Sequence, residues 1–143
     1  MGKYFIFFAL FFSVAGIACK KSALKTALLE QYFETNILNK NFIVSLATDN
    51  GTDITANYSN EVFVLQETDL YHGPLQATKN GTIYTGTWSS NDDYSKLVIT
   101  LPNSPSEFSF LSRAWRFTSK SLPTMKLAPW GSSEPIVLHM QRQ

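Results

Sequence analysis

The chain predicts a mainly β domain of about eight antiparallel strands, closed as a barrel or flattened as a sandwich, behind a helix and an export segment. Short runs of alternating apolar and polar residues follow one another at roughly 8–15 residue spacing from Asn41 onward. Turn residues punctuate these runs, most strongly Asn80-Gly81. The runs lie too close together for the helical crossovers that parallel strands need, which excludes α/β folds. With 143 residues, 44% of them hydrophobic and 16% charged, the chain is too apolar for disorder and long enough for one domain. A net charge of +1 leaves no electrostatic footprint for nucleic acid. A single Cys excludes a disulfide scaffold and any multi-cysteine zinc site.

Residues 1–18 read as a signal segment: Lys3, then an apolar run from Tyr4 to Ala18 interrupted by Ser13 and Gly16. The run is shorter than the roughly 20 apolar residues of a membrane-spanning helix. Its end, Val14-Ala15-Gly16-Ile17-Ala18-Cys19, resembles the lipobox of bacterial lipoproteins. Gly16 departs from the Leu commonest at that position. The resemblance implies cleavage before Cys19 and acylation of Cys19 as the first mature residue. The rival readings are an uncleaved membrane anchor and ordinary cleavage near Ala18, which leaves a lone exposed thiol. Acylation accounts for the solitary Cys, and several acyl chains hold a protein on a membrane stably where one does not. Cleavage removes only Lys3 from 12 basic residues, so the mature chain balances its 11 acidic ones. No Asp and no acidic cluster follows Cys19. By the sorting rules of such families, the domain is expected at the periplasmic face of the outer membrane.

Residues 20–40 hold no Gly or Pro. Leu24, Leu28, Leu29, Tyr32, Phe33 and Ile37 recur there at three- and four-residue steps, an amphipathic helix signal with Ser22 as its N-cap. Such a helix is expected to pack across one open end of the barrel or sheet. The alternative is a helix lying on the membrane beside the anchor, for which the segment is not strongly basic.

From Asn41 the period becomes two. Phe42, Val44 and Leu46 alternate with Ile43, Ser45 and Ala47, and Asp49-Asn50-Gly51-Thr52-Asp53 makes a turn. A bend over Ala56–Asn60 leads to a strand in which Phe63 and Leu65 oppose Val62 and Val64. Leu75–Lys79 and Thr82–Ser89 flank Asn80-Gly81, the pair that a type I′ hairpin turn favours because both positions need positive φ. Leu97, Ile99 and Leu101 share one face after the turn Asn91-Asp92-Asp93. Pro102 and Pro105 break the sheet, and Ser106–Ser112 is expected to form a helical turn presenting Phe108 and Leu111. Three more strands carry Trp115 and Phe117, Met125 and Leu127, and Ile136, Leu138 and Met140.

The order of these pieces resembles the lipocalin-like domain of small bacterial lipoproteins, over residues 41–143. The match rests on Thr48-Asp49-Asn50-Gly51-Thr52-Asp53, Phe63-Val64, Ala77-Thr78-Lys79-Asn80-Gly81, Thr85-Gly86-Thr87-Trp88-Ser89 with its acidic turn, the Trp115 strand and Met125-Lys126-Leu127. The helical segment before Asn41 is longer than in that family. The resemblance implies a calyx or flattened barrel able to hold a small apolar molecule. By the same analogy, a Trp and an Arg close one end, with Trp88 or Trp115 as the Trp. It supplies no catalytic residue and no cofactor.

The residues themselves point to no enzyme. His72 and His139 are far apart, and Asp69 with His72 is two ligands where a metal site needs three or four. No Ser lies in a nucleophile elbow, and no Gly-rich phosphate loop is present. The adjacent carboxylates of Asp92-Asp93 point to opposite faces in a strand and to solvent in a turn. Tyr84, Gly86 and Trp88 share one face, and Gly86 there either lets a ring from another strand cross or leaves a shallow groove. Tyr84, Trp88, Trp115 and Phe117 are therefore the expected ligand wall, with ordinary core packing as the competing role. Two functions follow: a lipid-anchored monomer binding a small apolar ligand, or an interaction lipoprotein with a filled barrel, serving as an envelope assembly factor or an enzyme inhibitor. A filled interior favours the second and an enclosed cavity the first.

Overall fold

A computed structural model describes residues 15–143, with side chains from residue 20 onward. The expected signal segment and the Cys19 attachment point lie outside the described side chains. No helix among the described residues is long and apolar enough to cross a membrane.

The elements run α1 (Ala15–Asn36), β1 (Asn41–Asp49), β2 (Thr52–Asp53), a 3₁₀ turn (Thr55–Tyr58), β3 (Glu61–Leu65), β4 (His72–Lys79), β5 (Thr82–Ser90), β6 (Lys96–Thr100), α2 (Phe108–Leu111), β7 (Ala114–Ser119), β8 (Thr124–Pro129) and β9 (Val137–Arg142). From β3 to β9 each strand pairs antiparallel with the next, and β1 pairs with both β3 and β9. Eight strands thus close an up-and-down barrel, and short β2 is an extra flap on β1. Closure removes the free edges that an open sheet would expose. It settles the choice between barrel and sandwich.

Local chemistry sets the corners. Asn80 and Gly81 sit at φ +49° and +82°, and the strands they join pair from Lys79↔Thr82 to His72↔Ser89. Asn50-Gly51 repeats the device between β1 and β2, at φ +49° and +85°. Both helical pieces lie at the ends of the barrel. Phe33 in the last turn of α1 and Ile37 and Leu38 just after it are buried, and Phe33 meets Tyr94, Trp88 and Phe117 at ring distances of 4.5, 5.9 and 6.2 Å. At the opposite end α2 buries Phe108, Phe110 and Leu111, and the 3₁₀ turn buries Tyr58. Arg113 lies over Trp115 at 5.4 Å and over Phe110 at 5.0 Å, at the same end as α2.

Three details differ from the sequence reading. A register shift between Val44 and Leu46 breaks the alternation of β1, so Ala47 and not Leu46 is buried with Phe42 and Val44. Ser22 does not cap α1; it lies inside the helix, where its carbonyl accepts a hydrogen bond from the Thr26 hydroxyl at 3.2 Å. The helix continues back through Ala15 in the uncut chain, so no N-terminus exists at Ser22. The expected single stripe from Leu24 to Ile37 is really two faces. Leu24 and Leu28 are 62% and 58% exposed, while Phe33 and Ile37 are fully buried.

Candidate functional site

The four expected wall residues belong to two separate aromatic clusters. Trp88 and Phe117 join Phe33, Tyr94 and Tyr71 under α1. Tyr84 meets Phe108 edge-on at 5.3 Å, and Trp115 meets Phe110 at 5.7 Å, both at the α2 end. Trp88 and Trp115 are buried, Tyr84 and Phe117 half-buried. Both indole N–H groups are used internally: Trp88 donates to the Gln66 carbonyl at 2.7 Å and Trp115 to the Leu111 carbonyl at 2.9 Å. An eight-stranded barrel is just wide enough for side chains to fill. Here Trp88, Trp115, Tyr94, Phe33, Phe42, Phe63 and Phe108 occupy that interior. The four rings are wall and plug of one packed core and do not face a common space.

The space over Gly86 is taken by backbone and not by the expected ring, while Gly86 also lines a cleft, the second of its two expected roles. A Cβ there would stand 2.0 Å from the Thr100 carbonyl oxygen and 3.0 Å from the Leu101 Cα, so the end of β6 crosses the space a side chain would need. Gly73 does the same for Gln66, whose carbonyl would lie 2.0 Å from an added Cβ and which receives the Trp88 indole. An apolar cleft of about 560 Å³ runs along the outer face of β4, β5 and β6, between Pro74, Thr85, Thr87, Val98 and Thr100, with Gly73 and Gly86 in its floor. Of the four expected residues, Trp88 lines this cleft, from its inner edge.

The most built polar arrangement lies at the α2 end. Glu61 faces inward in the same parity as Phe63 and Leu65, and its side chain is fully buried. Lys79, directly opposite in the β3–β4 register, places its ammonium 2.8 Å from one Glu61 carboxylate oxygen. The same ammonium also pairs with Glu107 at the start of α2. Neither Glu61 oxygen receives a well-formed hydrogen bond from the described residues. Tyr58 donates its hydroxyl to the Glu107 backbone carbonyl at 2.9 Å, and burial followed by the Glu61 charge pushes its pKa well above the usual phenol range. Clefts of about 470 and 510 Å³ open on either side of Tyr58, the first bordered by Asp49, Lys79 and Glu107, the second by Val44, Asn60 and Glu61. Chemically, one cation ties two acids from different elements together and clamps α2 onto the barrel mouth.

Sequence reasoning missed this triad, although the signal was present. Strand parity turns Glu61 inward with Phe63, and an inward carboxylate needs a cation that hairpin register places at Lys79. Tyr94 was missed too: it sits at φ +51°, rare for a bulky residue, is fully buried, and donates its hydroxyl to the Leu70 carbonyl at 3.0 Å. Asp69 and His72, weighed as metal ligands, serve their own loop. The Asp69 carboxylate accepts the backbone N–H of Tyr71 at 2.7 Å and of His72 at 3.0 Å, and lies 2.9 Å from the His72 Nδ1. These hydrogen bonds, the Tyr71 N–H first, hold the Asp69 carboxyl below its ordinary pKa.

Comparison with known proteins adds no relative: no family model, no curated protein and no solved structure matches the chain.

Proposed function

We propose that this chain is a bacterial lipoprotein, tethered through acylated Cys19 to the periplasmic face of the outer membrane, and that its filled lipocalin-like barrel is a rigid scaffold engaging a protein partner through its surface. The carrying observation is the interior: the rings that would line a calyx pack on one another, and both mouths are covered by α1 and α2. The lipobox resemblance at Val14–Cys19 supports the anchor. A scaffold role needs rigidity and an outward surface, and asks for no catalytic group.

A second reading keeps the apolar ligand but moves it outside the barrel, to the 560 Å³ cleft of β4, β5 and β6. Its size lies within the range of small-molecule sites, and its lining is largely apolar. Native mass spectrometry of the protein extracted gently from its own membranes separates the two. The scaffold reading expects a co-retained protein and no small molecule. A stoichiometric small molecule, displaced when Val98 is replaced by Trp, would move the assignment to the cleft.

A further inference from the structure

Helix α1 is apolar on two opposite faces, and the barrel uses only one. At about 100° per residue, Leu24 and Leu28 stand roughly 180° around the axis from Phe33 and Ile37. Phe33 and Ile37 are buried in the barrel mouth, and Leu24 and Leu28 point away from it, 62% and 58% exposed. From Lys20 to Leu28 every described side chain is exposed except half-buried Thr26. A stretch of two or three turns without tertiary packing is marginal as a helix in water.

We propose that this face of α1 lies on the anionic surface of the membrane that holds the anchor, as a second contact beside Cys19. Three observations carry it. Lys20, Lys21 and Lys25 flank the leucines, each within roughly 80° of the stripe's centre, so their stems and ammoniums can reach headgroups while Leu24 and Leu28 enter the acyl boundary. No acidic residue occurs between Lys20 and Leu29; the first, Glu30, accepts a hydrogen bond from the Tyr71 hydroxyl on the barrel side. Leu24 and Leu28 follow Cys19 by one and a half to two and a half turns, roughly 8 and 14 Å along the axis. A second copy of the chain is a poorer occupant, because two such faces would bring six lysines together. The inference rests on the anchor reading for its geometry: a lipid at Cys19 raises the local concentration of the helix at the membrane, so a weak contact suffices. It also orients the barrel, with the α1 mouth toward the membrane and the Glu61–Lys79–Glu107 end away from it.

The test uses mature protein carrying Leu28→Cys as its free thiol, labelled with an environment-sensitive dye. It is reconstituted in vesicles of phosphatidylethanolamine with about a quarter phosphatidylglycerol, some of the lipids being brominated. Ile83→Cys on the exposed barrel wall is the reference. Lipid quenching of the Leu28 label should exceed that of the Ile83 label at least about threefold, and fall when Lys20, Lys21 and Lys25 become Gln. Equal, weak quenching at both positions in protein whose intact mass shows acyl chains overturns the proposal, as does energy transfer between labelled copies without lipid quenching. If the mass shows an unmodified Cys19, the anchor reading fails instead, and the soluble protein with Cys19→Ser, labelled at Leu28→Cys and added to the same vesicles, decides the helix contact alone. Quenching that requires phosphatidylglycerol then supports it, and no quenching overturns it.

Discussion

Replacing Lys79 by Met strips the buried Glu61 carboxylate of its cation while keeping most of the length of the side chain. At 2.8 Å and an effective dielectric near 20, the gross attraction is about 6 kcal/mol, most of which offsets the cost of taking two charges out of water. Losing one partner is a different matter, since the remaining carboxylate stays buried, and such losses run to about 3–5 kcal/mol. Lys79 is a quarter exposed and Glu61 borders a cleft open to solvent, so the lower end applies, about 3 kcal/mol. Urea unfolding followed by tryptophan emission reads this directly, because both mouth-closing clusters contain an indole. Glu61→Leu combined with Lys79→Met should recover most of that cost, because the apolar pair carries no desolvation cost and only Glu107, which borders an open cleft, is left without its cation. A single variant costing under about 1 kcal/mol, or a double variant no better than the single one, would refute the buried-pair reasoning.

Other substitutions probe separate parts of the fold. Gly86→Ala forces a Cβ to within 2.0 Å of the Thr100 carbonyl and should cost about 3 kcal/mol or more, whereas Gly81→Ala has open space around it and should cost about 1 kcal/mol through its φ of +82° alone; the two urea midpoints check the ranking. Tyr94→Phe leaves the Leu70 carbonyl without its donor and should cost about 1 kcal/mol by the same assay. Burial, assisted by Lys126, lowers the pKa of His139, so the fold prefers the neutral ring. That contribution is complete above about pH 6.5 and is lost as pH falls, so His139→Gln should flatten the stability profile between about pH 7 and pH 5.

The strands were legible because their signals are local. Asn80-Gly81 dictates its own turn, and Leu97, Ile99 and Leu101 announce one buried face through alternation. Barrel closure was not legible: it depends on β1 meeting β9 nearly a hundred residues later, and nothing in either strand names its partner. The helix misled for a geometric reason. Leu24 and Leu28 form one four-residue series and Leu29, Phe33 and Ile37 another; a search for three- and four-residue steps merges them, although they lie on opposite sides of the axis. The aromatic residues were found as inward positions, but their grouping into two end clusters follows from α1 and α2 reaching over the mouths, a long-range arrangement. Glu61 was passed over because a charge at the start of a strand reads as solvated until its register partner is known.

A filled interior is tested most directly by calorimetric titration of wild type and Trp115→Ala with palmitate and with indole, following tryptophan emission in parallel. Wild type should give no saturable heat with either molecule and no change in tryptophan emission on addition of palmitate, the indole titration being read by heat alone because indole is itself fluorescent. Trp115→Ala, which removes a fully buried ring at a cost of about 3–5 kcal/mol, should leave a dry apolar space that takes up indole. Saturable, stoichiometric palmitate binding by the wild type, with a shift in tryptophan emission, would contradict the filled barrel and restore the calyx.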